Sequence, residues 1–113
     1  MFSLNQNHRF YLYHQATDMR KSFDGLSGLV TNQLGRSPLS GEVFVFVNRR
    51  RNCIKLLHWE PGGFVLYYKR LEKGTLEFPE INDETGQEIS WPQLVMIIEG
   101  ISLKSIQKRK RYF

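Results

Sequence analysis

The sequence predicts a single α+β domain: an antiparallel β-meander of about four to five strands, with one helix packed on a face and a short C-terminal helix. Three observations carry this. The 113 residues suit one hydrophobic core. Val43-Phe44-Val45-Phe46-Val47 is apolar at every position, as a central strand buried on both faces must be. Met19, Phe23, Leu26, Val30 and Leu34 recur at three- and four-residue steps, the spacing of one apolar stripe on a helix.

Taken in order, Arg9-Phe10-Tyr11-Leu12-Tyr13 is short and aromatic and reads as the first strand. From Asp18 the period changes to that of a helix of about 16 residues. Thr17 or Asp18 would cap its start, and Gly35 suits the left-handed position past its end. Gly25 and Gly28, costly inside a helix, predict a close approach to the sheet. Pro38 and Gly41 close a polar link, the central strand follows, and Asn48-Arg49-Arg50-Arg51-Asn52 interrupts it as a turn. Residues 43 to 47 and 53 to 59 therefore form a hairpin with three arginines at its tip. Pro61-Gly62-Gly63 turns the chain into a third meander strand, Phe64 to Leu71. A short strand is expected at Thr75 to Phe78, ended by Pro79, and residues 80 to 89 read as a mobile acidic loop. Ser90 with Gln93 forms a capping box, Pro92 suits a first turn, and Leu94, Ile97 and Ile98 line a second helix ended by Gly100. The domain is expected to span residues 1–103, with 104–113 a flexible basic tail.

Sixteen Lys and Arg against eleven Asp and Glu give a net charge of +5, which biases partners toward phosphate-rich or acidic surfaces. The charge is also segregated. Glu72, Glu77, Glu80, Asp83, Glu84 and Glu88 share one window with the single base Lys73, so the remainder of the chain is far more basic than the total implies. Cys53 is the only cysteine, which excludes an intrachain disulfide and a thiolate metal cage. No apolar run has transmembrane length, and the first residues lack a secretory pattern, so a cytoplasmic address and no membrane partner are expected.

The residues supply no catalytic constellation. His8, His14 and His58 are scattered and lack metal-ligand spacing. A carboxylate-metal site would have to draw on Asp18, Asp24 and Glu60, of which Asp18 competes as a cap and Glu60 lies in a turn. Gly62-Gly63 lacks the Lys-Ser/Thr of a phosphate-binding loop. No catalytic residue, metal or cofactor is expected. What remains is basic and aromatic alternation: Arg49, Arg50 and Arg51 at a tip, Lys55 on one arm, and Tyr67-Tyr68-Lys69-Arg70 on the next strand. That composition pairs cations for phosphates with rings for stacking bases.

The run Asp18-Met19-Arg20-Lys21-Ser22-Phe23-Asp24-Gly25-Leu26, then Pro38-Leu39-Ser40-Gly41, Asn48-Arg49-Arg50-Arg51, Lys55-Leu56-Leu57, Trp59 and Tyr68-Lys69-Arg70-Leu71-Glu72-Lys73-Gly74, resembles the TnpB-like accessory protein of the insertion sequence sixty-six family. This is the Orf2-like product of the second reading frame of a bacterial transposable element, distinct from the much longer RNA-guided nuclease that shares the TnpB name. The resemblance covers about residues 9 to 79 and resumes at Leu94 and Ile98-Glu99-Gly100. It implies a non-catalytic role in transposition beside a separate, larger transposase. His58 and Glu60 depart from the family pattern, which has Tyr or a similar residue and Asp there, and neither is expected to be an essential catalytic group. Arg20, Lys21, Arg49, Arg50, Lys55, Lys69 and Arg70 agree with the pattern; with Arg51 they form the expected nucleic-acid-binding set. The expected partners are DNA at the element ends, the transposase and the element's other accessory subunit. The alternative is an adaptor that bridges transposase subunits without touching DNA.

Overall fold

The computed structural model describes residues 4–78 and 84–99. In chain order they form strand β1 (Phe10–Tyr13), helix α1 (Phe23–Asn32), strands β2 (Val43–Val47), β3 (Cys53–Glu60), β4 (Gly63–Arg70) and β5 (Gly86–Ile89), and helix α2 (Trp91–Glu99). The strands make one sheet in the order β4-β3-β2-β1-β5.

The α+β class and the β2-β3-β4 meander are as predicted, but the sheet is mixed. β1 runs parallel to β2, with Phe10 opposite Val43 and Leu12 opposite Val45, and β5 lies antiparallel on the other side of β1. The reason is the connection: a helix between two neighbouring strands returns the chain to its starting end, so the second strand runs beside the first in the same direction. β2 is buried at all five positions. Its valines face one core with Phe10, Leu12, Ile54, Leu56, Leu94, Ile97 and Ile98, covered by α2. Its phenylalanines face the other with Tyr13, Leu26, Val30 and Leu57, covered by α1. Strand alternation thus sorts one uniformly apolar run onto two helices.

Local chemistry moves some boundaries. α1 starts at Phe23, not at Asp18. The Asp18 carboxylate accepts the Arg20 backbone N–H at 2.9 Å, and the Lys21 N–H donates to the Asp18 carbonyl, so these residues form a turn instead of a first helical turn. Neither Thr17 nor Asp18 caps the helix; the preceding residue is Ser22, whose side chain makes no capping bond. Gly35, at φ +63, turns the chain at the far end as expected. The glycines inside α1 do not face the sheet: a Cβ on Gly25 would meet the Lys21 side chain, and one on Gly28 only the Asn32 amide. The capping box of α2 is formed, with Gln93 N–H to Ser90 Oγ at 3.2 Å and Ser90 N–H to Gln93 Oε1 at 2.8 Å.

Residues 75–78 are not a strand; Leu76 is buried and donates its N–H to the Arg51 carbonyl at 2.6 Å. The fifth strand is Gly86–Ile89, within the stretch expected to be a loop. Residues 80–83 of that loop and the expected tail at 104–113 lie outside the described residues.

Candidate nucleic-acid interface

The topology brings the C-terminal ends of β1, β2 and β4 to the same end of the sheet as the start of β3. The β2–β3 turn sits there, and asparagines hold it. Asn48 Oδ1 accepts the N–H groups of Asn52 and Cys53 at 3.0 Å each, and Asn48 Nδ2 donates to Asn52 Oδ1 at 2.6 Å. Arg51 occupies the left-handed region at φ 56 and donates its N–H to the Asn48 carbonyl. Arg49, Arg50 and Arg51 are all exposed. Arg70 joins them because it lies opposite Cys53 in the β3–β4 register, and Leu71 N–H continues the pairing to the Asn52 carbonyl at 2.7 Å.

Lys55 does a different job from the arginines. It is only 6% exposed, and its Nζ donates to the Met19 and Lys21 carbonyls at 2.7 Å each while lying 4.7 Å from the centre of the Tyr68 ring. The ammonium therefore pins the loop before α1 onto the sheet, and that loop carries Arg20 and Lys21, both exposed. Arg20 bonds back to Asp18 at 2.6 Å and holds that carboxyl down to about 2. Beside Lys55, Tyr68 is 51% exposed and its hydroxyl contacts Cys53 Sγ at 3.7 Å. Phe23, two residues past Lys21, is also exposed.

Lys69 points the other way. Alternation places it with Ile54 on the α2 face, where its Nζ donates to the Ile98 carbonyl at 2.9 Å. A cation at the C-terminal end of a helix satisfies an orphan carbonyl and complements the helix dipole. Of the eight predicted positions, the structure gathers Arg20, Lys21, Arg49, Arg50, Arg51 and Arg70 at one end of the sheet. It turns Lys55 inward and Lys69 to the opposite side. Sequence reasoning missed His14, Ala16 and Phe78, which border the arginine turn only because distant segments meet there. No local pattern marks them.

Glu88, in the acidic window, is bonded to Arg9 at 3.0 Å across β1 and β5, which holds its carboxyl below the usual range. Among the described residues no three His, Cys, Asp or Glu side chains come together as a metal-ligand set, and no helix is long and apolar enough to cross a membrane.

His58 is buried on β3, edge-on to His8 with ring centroids 4.9 Å apart and 3.7 Å from a Glu60 carboxylate oxygen. Burial, helped by His8, pushes its pKa down. The folded state then binds a proton less readily than the unfolded chain, so stability is complete above about pH 6.5 and is lost as pH falls through the folded-state value. Urea midpoints are expected to fall between about pH 7 and 5, and His58→Gln is expected to flatten that dependence.

A family model described as IS66 Orf2 like protein matches residues 8–108, which take in every described strand and helix and all eight basic positions. The chain belongs to the IS66 Orf2-like family. Two proteins of Sinorhizobium fredii (strain NBRC 101917 / NGR234) are similar over nearly their whole length. The uncharacterized protein y4hO is 33% identical over 112 residues, covering 98% of this chain and 96% of its own. The uncharacterized protein y4jC is 27% identical over 101 residues, covering 89% and 86%. No solved structure matches the chain. IS66 Orf2-like membership gives the protein an accessory role associated with transposition.

Proposed function

We propose that this IS66 Orf2-like protein is a non-catalytic, cytoplasmic accessory subunit that binds DNA at the element ends, or the transposase–DNA complex, through the basic end of its sheet. The observation that carries the reading is the convergence of Arg49, Arg50, Arg51 and Arg70 beside the Arg20–Lys21 loop. Among the described residues, no carboxylate forms an ion pair with any of those four arginines. Guanidinium groups with no carboxylate partner among the described residues are available to phosphates, and Tyr68 adds an exposed ring on which a base can stack. Contacts of this kind grip backbone and carry little sequence preference.

Fluorescence anisotropy on element-end duplex at several salt concentrations tests it. Micromolar or tighter binding is expected, with a log–log salt slope of about −0.9 per phosphate contact. Arg49/Arg50/Arg51→Ala should weaken binding at least about tenfold and remove about 0.9 from the slope for each arginine that contacts phosphate. Lys69→Ala, on the opposite face, should leave the DNA affinity unchanged. Salt-insensitive binding, or an unaffected triple variant, would sink the reading.

A second reading, the adaptor that bridges transposase subunits, draws on the outer side of β4. This eight-residue strand stands at the sheet edge, where a partner can add a strand by main-chain hydrogen bonds. Co-purification with the transposase or the other accessory subunit after nuclease treatment would favour it; loss of both partners would count against it.

A further inference from the structure

A cleft of about 150 Å³ opens where β1 and β2 end, between Ala16, the Asn48–Arg51 turn and Phe78. We infer that it is a phosphate-binding subsite in which Arg49 and Arg51 hold a single phosphate group. This rests on the DNA-binding reading for its biological source, a strand phosphate, but not for its chemistry.

The size sets the class of ligand. The cleft has room for about five waters, and whole-ligand pockets run to roughly 300–1,000 Å³. One tetrahedral oxyanion fits within it, and the rest of a larger ligand would lie outside. The lining sets the charge. Among the described residues it contains two arginines and no carboxylate, with Leu12, Val47 and Phe78 also in the lining. Apolar walls reduce screening, so a phosphate there meets a stronger field than one on an open surface.

Two other polar side chains of the lining are already engaged, while the exposed Gln15 amide adds a neutral donor beside the arginines. His14 has Nδ1 2.6 Å from the Glu84 carbonyl and Nε2 3.1 Å from Gln87 Oε1, and Asn48 braces the turn through three hydrogen bonds. The guanidinium groups are the charged donors the lining offers a ligand. Arg51 also sits at a backbone position that suits glycine or asparagine better than a long side chain. Its guanidinium lies 5.6 Å from the Phe78 ring centre, and among the described residues it forms no ion pair. Strained positions cluster at ligand sites, and a guanidinium is the side chain that pairs with phosphate through parallel charged bonds. A strand phosphate seated here would leave its neighbours within the field of Arg50 and Arg70.

The test uses the full chain, amide chemical shifts and two probes at matched ionic strength: inorganic phosphate and a short duplex. Both are expected to move the amides of Ala16, Val47 and Asn48. Arg51→Asn removes the cation while suiting the backbone, and Ala16→Leu narrows the cleft while keeping every arginine. Each should abolish the phosphate response and weaken duplex binding about tenfold, the scale of one lost charged hydrogen bond. Arg50→Ala, outside the cleft, should retain the phosphate response. Duplex binding that leaves the cleft amides unmoved would overturn the inference and leave the DNA-binding reading standing. A phosphate response with no duplex binding would uphold the site, make free phosphate its source, and overturn that reading instead.

Discussion

Lys55→Met will lower the unfolding free energy by about 2–4 kcal/mol, because the thioether fills the space of the stem but donates nothing to the Met19 and Lys21 carbonyls. Each carbonyl then loses a charge-assisted, part-buried bond, at about 1–3 kcal/mol apiece if water does not replace it. Urea denaturation should show a lower midpoint with an unchanged slope. DNA affinity should weaken only modestly, through loosening of the loop that carries Arg20 and Lys21, and the salt slope should stay the same. A variant of normal stability that has lost about 0.9 of the salt slope would instead make Lys55 a phosphate ligand.

Gly86→Ala is expected to cost about as much, for a steric reason. A Cβ at this position would lie 2.7 Å from the Leu12 carbonyl oxygen, 2.7 Å from Tyr11 Cε1 and 2.9 Å from Leu34 Cδ2. The first of these is backbone of the neighbouring strand, so β5 must move off β1 to relieve it. Overpacking of this kind costs about 1–3 kcal/mol, and the displaced strand leads directly into α2, whose Leu94, Ile97 and Ile98 close one core. Differential scanning calorimetry should show the melting temperature down by about 10 °C or more. A shift below about 3 °C would mean that β5 slides without loss, and that its register on β1 is not fixed by packing.

The legible parts of this chain are those where one local pattern decides the outcome. The five apolar residues of β2 had to be central, and Ser90 with Gln93 had to start a helix. β5 was illegible because an edge strand with only Ile89 apolar looks like a loop; its pairing comes from β1, more than 70 residues away. The parallel arrangement of β1 and β2 is likewise a property of the connection, not of either strand. In the candidate site, the rigid arginine tip could be read from its two asparagines. The separation of Lys69 from Arg70 was also readable, since adjacent strand residues point to opposite faces. Lys55 carried a subtler signal. A single lysine within Cys53-Ile54-Lys55-Leu56-Leu57, apolar on both sides, has its ammonium drawn inside and needs acceptors there. Which carbonyls would serve was fixed only by the loop that folds over it.

The placement of β1 between β2 and β5 bears on how the protein is made. A ribosome releases β1 first, yet both of its hydrogen-bonding margins stay open until residues 43–47 and then 86–89 have followed. Nascent chains stalled before Gly86 thus present a bare strand margin of the type that recruits other chains, so synthesis cut short in that interval should yield aggregates in place of a smaller folded unit.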